Sequence, residues 1–156
     1  MALDSFQHAR LDQVTAHLKA TGYRLTPQRL AILRALIANH QHPSVEQIYR
    51  RVREDFPTTS LATIYNTLEC LKGLGEVLEL PLNGGSRYDG RKPESHPHIV
   101  CTVCGRIEDL DIDLGDTAQA AARERGYAEV RQRLEVHGIC PACQERSQIG
   151  KETRRR

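Results

Sequence analysis

Residues 60–89, SLATIYNTLECLKGLGEVLELPLNGGSRYD, decide the fold. Ser60 offers a capping hydroxyl, Ile64, Leu68 and Leu71 recur at helical spacing, and Gly73 and Gly75 end the run. The period then changes. Val77, Leu78 and Leu80 form a short apolar stretch, Pro81, Asn83, Gly84 and Gly85 make a turn, and Ser86-Arg87-Tyr88 returns. Upstream, more helices are marked by their starts and stops. Thr26-Pro27 opens one that places Leu30, Leu33, Leu36 and Ile37 on one face. Ser44-Val45-Glu46-Gln47 fits a capping box with Ile48 and Val52 behind it. Leu11, Val14 and Leu18 precede a stop at Gly22. Helices followed by a hairpin is the order of a winged helix-turn-helix.

Downstream of the hairpin, Gly, Pro and charge cluster between Gly90 and Pro97 as in a hinge. Beyond it the pattern predicts a strand through Ile99-Val100-Cys101, a turn at Cys104-Gly105 and a strand through Ile107. A helix from about Leu114 to Arg125 follows, closed by Gly126, then a strand over Glu129–Val136 leading to Cys140. The expected class is α+β. Residues 1–88 would form the winged helix, 89–95 a hinge, 96–148 a small α/β dimerisation module and 149–156 a flexible basic tail. A module that small has a thin core and needs a metal staple or a partner subunit.

The chain has 156 residues, 39% hydrophobic and 27% charged, the balance of a soluble globular protein rather than a disordered one. No apolar run is long enough for a hydrocarbon core of roughly 30 Å. The start, MALDSFQHAR, has no basic stretch leading into an apolar one, so no secretory leader is expected and the cytoplasm is the default. Trp is absent and aromatics are 4%, leaving the core to Leu, Ile, Val and Ala. The net charge of +2 divides into +3 for residues 1–92, −4 for 93–150 and +3 for KETRRR at the end. That split suggests two modules with different partners, although chance unevenness on a solvated surface gives the same numbers.

Four of the five cysteines form two Cys-x-x-Cys pairs, Cys101/Cys104 and Cys140/Cys143. Two such knuckles supply the four soft ligands of tetrahedral Zn(II). The rival reading, thiol–disulfide chemistry, is favoured by one pair beside a βαβ unit rather than by two pairs. Cys70, between Leu68 and Leu71, reads as a small apolar helix residue.

Just before the first knuckle, His96 and His98 are two apart and enter a strand, so both imidazoles can face one side. Asp89, Asp109 and His42 are further candidates. Two imidazoles with carboxylates suit a borderline-to-hard divalent ion such as Fe(II), Mn(II) or Zn(II). Spacing alone does not link these five residues. A His-x-His pair is more often surface than ligand, and Asp109 sits in the acidic run 108–113. His8, His17, His40 and His137 stay unassigned.

Taken together, residues 11–143 resemble the ferric uptake regulator (Fur) family of bacterial metal-dependent repressors. The resemblance rests on Tyr23-Arg24-Leu25-Thr26-Pro27-Gln28-Arg29, His42-Pro43-Ser44, Ser60-Leu61-Ala62-Thr63-Ile64-Tyr65-Asn66, Tyr88-Asp89, His96-Pro97-His98-Ile99-Val100-Cys101 and the two knuckles. It implies structural Zn(II) on Cys101, Cys104, Cys140 and Cys143. It also implies a regulatory Fe(II) or Mn(II) held by His42, Asp89, His96, His98 and Asp109. A short Ser95-His96-Pro97-His98 run, Asn66 after Tyr65, and aspartate at 89 and 109 are similar to the peroxide-sensing, PerR-type branch. On that resemblance, hydrogen peroxide is the only small-molecule signal, and oxidation falls on His42 or His96.

The resemblance further implies a homodimer on a palindromic, A/T-rich DNA operator, with no membrane and no enzymatic turnover. Ser60, Thr63, Tyr65 and Asn66 would approach the major groove and Arg24 the minor groove. Arg50, Arg51 and Arg53 are as compatible with phosphate contact as with a solvated face. Three alternatives stay open at this point: a metal-responsive repressor of the same family without peroxide chemistry, a metalloenzyme using the His/Asp residues, and a thiol redox protein using the knuckles. Against the second, no general base or nucleophile motif is evident.

Overall fold

A computed structural model describes residues 3–82 and 84–152. It divides into two compact units, Met1–Glu94 and Ser95–Arg156. The first carries helices α1 (Ser5–Ala20), α2 (Pro27–Ile37), α3 (Val45–Asp55) and α4 (Leu61–Gly73), then strands β1 (Leu78–Leu80) and β2 (Arg87–Asp89). The second carries β3 (His98–Cys101), β4 (Ile107–Asp109), α5 (Thr117–Glu124), β5 (Glu135–Gly138) and α6 (Pro141–Glu152).

In the first unit the helix starts lie where the capping chemistry puts them. Thr26, Ser44 and Ser60 accept from the backbone N–H of Arg29, Gln47 and Thr63, and the Gln47 side chain returns the bond to Ser44. The sequence does not flag the start of α1. Asp4 and Gln7 form a second capping box there, ahead of the first apolar repeat. Ile32, Leu36, Ile37, Ile48, Ile64 and Leu68 are almost wholly buried where α2, α3 and α4 meet. Burying each such side chain is worth roughly 1.5–3 kcal/mol. The hairpin follows α4 as expected, with β1 and β2 antiparallel and Leu78 opposite Asp89. Gly85, at φ +103°, donates its N–H to the Leu82 carbonyl in the turn, a torsion suited to glycine. Asn83, expected in that turn, lies outside the described residues.

Arg10 clasps the far side of this unit. Its Nη2 donates to the Glu76 carbonyl at 2.9 Å and its Nε to the Gly90 carbonyl at 3.1 Å, while Nη1 lies 2.8 Å from the Glu76 carboxylate. His17 meets the other oxygen of the same carboxylate. One buried guanidinium thus ties α1 to the turn after α4 and to the chain leaving β2.

The second unit is a three-stranded sheet in the order β4-β3-β5. Strand β3 pairs antiparallel with β4 and parallel with β5, so His98 stands opposite Asp109 on one side and Glu135 on the other. Three elements differ from expectation. The helix begins at Thr117 instead of Leu114, because the Asp113 carboxylate takes the N–H of Gly115 and Gly115 turns at φ +58°. The last strand begins at Glu135 instead of Glu129, since Glu129 itself sits at φ +51° and breaks the extended run. Helix α6, which begins at Pro141 inside the second knuckle, carries no apolar repeat that periodicity could detect. The basic tail expected at 149–156 starts within α6, and its last four residues lie outside the described ones.

Candidate metal centres and nucleic-acid interface

The two knuckles meet because β3 and β5 are parallel neighbours. Cys101, at the end of β3, stands opposite Gly138, and the Thr102 N–H donates to the Gly138 carbonyl at 2.8 Å. Gly105, at φ +70°, folds its N–H back to the Cys101 carbonyl and brings Cys104 round. The first turn of α6 does the same for Cys140 and Cys143. The four sulfurs lie within 4.8 Å of one another. Cys104 Sγ and Cys140 Sγ are 3.8 Å apart. Sulfurs bound tetrahedrally at about 2.3 Å from one ion stand about 3.8 Å apart, so the cluster fits Zn(II).

The electrostatics of the cluster agree. Backbone N–H groups of Cys140, then Cys104, lower the Cys101 thiol to about 6. Burial, then the neighbouring Cys140 and Cys104, raises the Cys143 thiol to about 11. Four sulfurs this close do not all ionise without a cation among them.

In the first unit, the loop before α3 runs beside β2. The Tyr88 N–H donates to the Pro43 carbonyl at 3.1 Å, and Ser44 bridges to Arg87. This places His42 Nε2 3.4 Å from Asp89 Oδ2, with both side chains 4% exposed. His42 adopts φ +51°, uncommon for a residue with a side chain. The other Asp89 oxygen accepts from the N–H groups of Arg91 at 2.7 Å and Lys92 at 3.1 Å. Burial pushes the Asp89 carboxyl up, but the His42 contact and these two N–H groups outweigh it and hold it below the usual range.

The second unit supplies a matching group. Register sets His98 directly across from Asp109, and the Leu110 N–H donates to the Pro97 carbonyl at 2.8 Å, bringing His96 to the same end. Asp109 Oδ1 lies 3.2 Å from His96 Nε2 and 3.8 Å from His98 Nε2, and the two rings are 4.2 Å apart. His98 is buried, His96 half-buried and Asp109 exposed. Each unit therefore presents neutral-capable imidazole next to carboxylate, the donor mixture that suits Fe(II) or Mn(II).

On α4, Tyr65 and Asn66 are exposed, Thr63 is half-buried, and Ser60 stands exposed at the N-terminal cap. Thr63 shares a 2.9 Å hydrogen bond with the Ser60 hydroxyl. Arg24 is exposed in the loop before α2, its carbonyl taking a 2.7 Å bond from Arg29. Next to it, the Cys70 thiol of α4 raises the pKa of the Tyr23 hydroxyl above its ordinary value. Arg51 is paired with Glu54 and Asp55, Arg53 with the Pro57 carbonyl, and exposed Arg50 acts on the Glu46 carboxylate one turn away.

The histidines left unassigned have local partners. His8 meets the Asp4 carbonyl, His17 Glu76, His40 Gln7 and Arg91, and His137 Glu135. Arg10 and Arg146 are the residues that sequence reasoning missed. Arg146 donates to Cys143 Sγ, and neither arginine belongs to a motif.

A winged helix joined to a unit stapled by cysteines, with imidazole and carboxylate in both, is the plan of a metal-responsive DNA-binding regulator. The chain belongs to the ferric uptake regulator family, whose model matches residues 20–137. The peroxide-responsive repressor PerR of Staphylococcus saprophyticus is 38% identical over 145 residues, which are 92% of this chain and 97% of that protein. The peroxide stress regulator of Campylobacter jejuni is 32% identical with a TM-score of 0.63, over 90% of this chain and 100% of that one. A zinc uptake regulator solved with zinc and DNA is 26% identical with a TM-score of 0.71, over 94% of this chain and 99% of that one. Among the described residues, no helix is long and apolar enough to cross a membrane.

Proposed function

We propose that this chain is a metal-dependent transcriptional repressor that binds palindromic A/T-rich operators as a homodimer and senses hydrogen peroxide. The observation that carries this reading is the pairing of imidazole with carboxylate in each unit: His42 with Asp89 in one, His96 and His98 with Asp109 in the other. Those five residues would hold one regulatory Fe(II) or Mn(II), and Cys101, Cys104, Cys140 and Cys143 a structural Zn(II). Sharing one cation, these donors would fix the reading heads of a dimer at one spacing, which a twofold operator would match. Tyr65, Asn66, Thr63 and Ser60 then meet the major groove and Arg24 the minor groove.

Bound Fe(II) would supply the redox chemistry that activates peroxide, which Mn(II) supplies poorly. The imidazole of His42 or His96 takes one oxygen atom on a ring carbon, and the other oxygen of the peroxide leaves as water. The oxidised ring would be a poorer donor, so His42 or His96 would no longer help to hold the regulatory ion. The peroxide-responsive names of the relatives support this branch.

The test is mass spectrometry of Fe(II)-loaded and Mn(II)-loaded protein after peroxide. The expected result is one added oxygen on the peptide holding His42 or His96, in the iron form alone. Lost DNA binding with both histidines intact contradicts histidine oxidation as the route, whereas retained DNA binding with both intact leaves a repressor that answers to metal only.

A further inference from the structure

The four sulfurs of the second unit are not equivalent. Cys101 and Cys143 are buried, Cys140 is half-buried and Cys104 is exposed. Among the described residues, Cys143 alone has a cationic side chain on its sulfur: Arg146 Nη2 donates to Cys143 Sγ at 3.0 Å. The arrangement follows from α6. Arg146 is three residues beyond Cys143, so its side chain folds back over the first turn. Its Nε donates to the Ala142 carbonyl at 3.2 Å, which fixes the plane of the guanidinium and aims its outer nitrogen at the sulfur. Cys101, by contrast, accepts from a backbone N–H, that of Cys140, at 3.3 Å.

A Zn(II) ion bound by four thiolates carries a net charge of −2, and a guanidinium on one sulfur offsets half of it. A sulfur that accepts a charge-assisted hydrogen bond has less electron density to offer an electrophile. We propose that Arg146 is a positioning residue of the zinc centre: it holds the Cys143 sulfur in place at the metal, slows loss of the metal, and turns electrophilic attack toward Cys104. The inference rests on the reading of the four cysteines as a zinc site. Its consequence is a division of labour, in which the staple outlasts an oxidant pulse while the imidazoles respond to it.

The experiment compares the full-length wild type with Arg146→Gln and Arg146→Lys. Zinc per chain is measured first. Zinc release to a chromogenic chelator is then timed with Mn(II) in excess, and the four cysteines are pulse-labelled with N-ethylmaleimide and mapped by peptide. The maleimide adds across its double bond, with the sulfur–carbon bond forming as the thiolate gives up its electron pair and a solvent proton completing the adduct. In the wild type, Cys104 is labelled first and Cys143 last. In Arg146→Gln, zinc release and Cys143 labelling each rise roughly three- to tenfold, while Cys101 labelling is unchanged. Arg146→Lys falls between, since an ammonium restores charge without the fork. Unchanged release with unchanged Cys143 labelling overturns the role of Arg146 and leaves the zinc site standing. An equal rise at all four cysteines also overturns it, since Arg146 would then only support the fold. Absence of stoichiometric zinc from the wild type overturns the zinc site and the inference together.

Discussion

His42 is held at φ +51° with its imidazole 4% exposed, a backbone state that costs of order 1–3 kcal/mol and persists only where the surroundings enforce it. The Pro43 carbonyl bonded to Tyr88 is part of that enforcement. The sequence names His42 as a candidate but says nothing of this torsion, since it depends on a contact 45 residues away. Gly90 is a second tight point. A Cβ there would stand 3.0 Å from the Cβ of Leu36 in α2. Gly90→Ala is expected to destabilise the first unit by about 1–3 kcal/mol, read as a lower urea midpoint at unchanged slope. The Arg10–Glu76 pair was equally invisible, with its partners 66 positions apart and no spacing rule to join them. Glu76→Gln leaves a buried guanidinium without its counter-charge and should cost about 3 kcal/mol in the same assay. A loss below about 0.5 kcal/mol for Glu76→Gln would show that the two carbonyls alone satisfy Arg10.

Among the elements, the wing hairpin is attached to α4 through polar contacts. Lys72 bridges Glu69 at 2.6 Å and Glu79 of β1 at 2.9 Å, and the Ser86 hydroxyl donates to Glu79 at 2.6 Å. The Ser86 hydroxyl, then Lys72, holds the Glu79 carboxyl below its unfolded value of 4.5. A depressed carboxyl stabilises the folded state above the unfolded pKa, and that stabilisation is lost as pH falls through the folded value. Acid below about 4.5 should therefore weaken the wing's hold on α4. Glu79→Gln should remove that part of the acid dependence at a cost of roughly 0.5–1 kcal/mol near neutrality, read by unfolding at pH 7 and pH 4.

The second unit is expected to depend on zinc to a greater degree. Among its described residues the buried apolar ones are few, Pro97, Val100 and Ile107 beside Cys101 and Cys143. Removal of zinc by a strong chelator should therefore abolish hydrogen-exchange protection across β3, β4 and β5 while α2, α3 and α4 keep theirs. Retained protection in β3 would mean that the sheet stands without the staple.

At this scale the sequence is uneven. Caps and apolar repeats locate α2, α3, α4 and the hairpin, because local chemistry fixes them. The bounds of α5 and β5 were missed at Gly115 and Glu129, where single backbone torsions decide. Helix α6 was missed because sulfur geometry and Pro141, rather than an apolar face, begin it.

For the whole molecule, the metal-ligand types were legible because sulfur and imidazole advertise their chemistry, whereas the assignment of five residues to one cation came from the family resemblance and not from spacing. The central claim is that donors from both units hold one exchangeable cation and that DNA binding depends on it. It predicts that losing a donor from either unit has the same effect. The direct measurement is binding of the protein to an operator selected from a random duplex library, by fluorescence anisotropy, across buffered free Mn(II), for the wild type, His42→Ala and His96→Ala. The account predicts that manganese tightens binding of the wild type and that both variants lose this response while retaining their zinc. Manganese-dependent binding that survives both substitutions would contradict it.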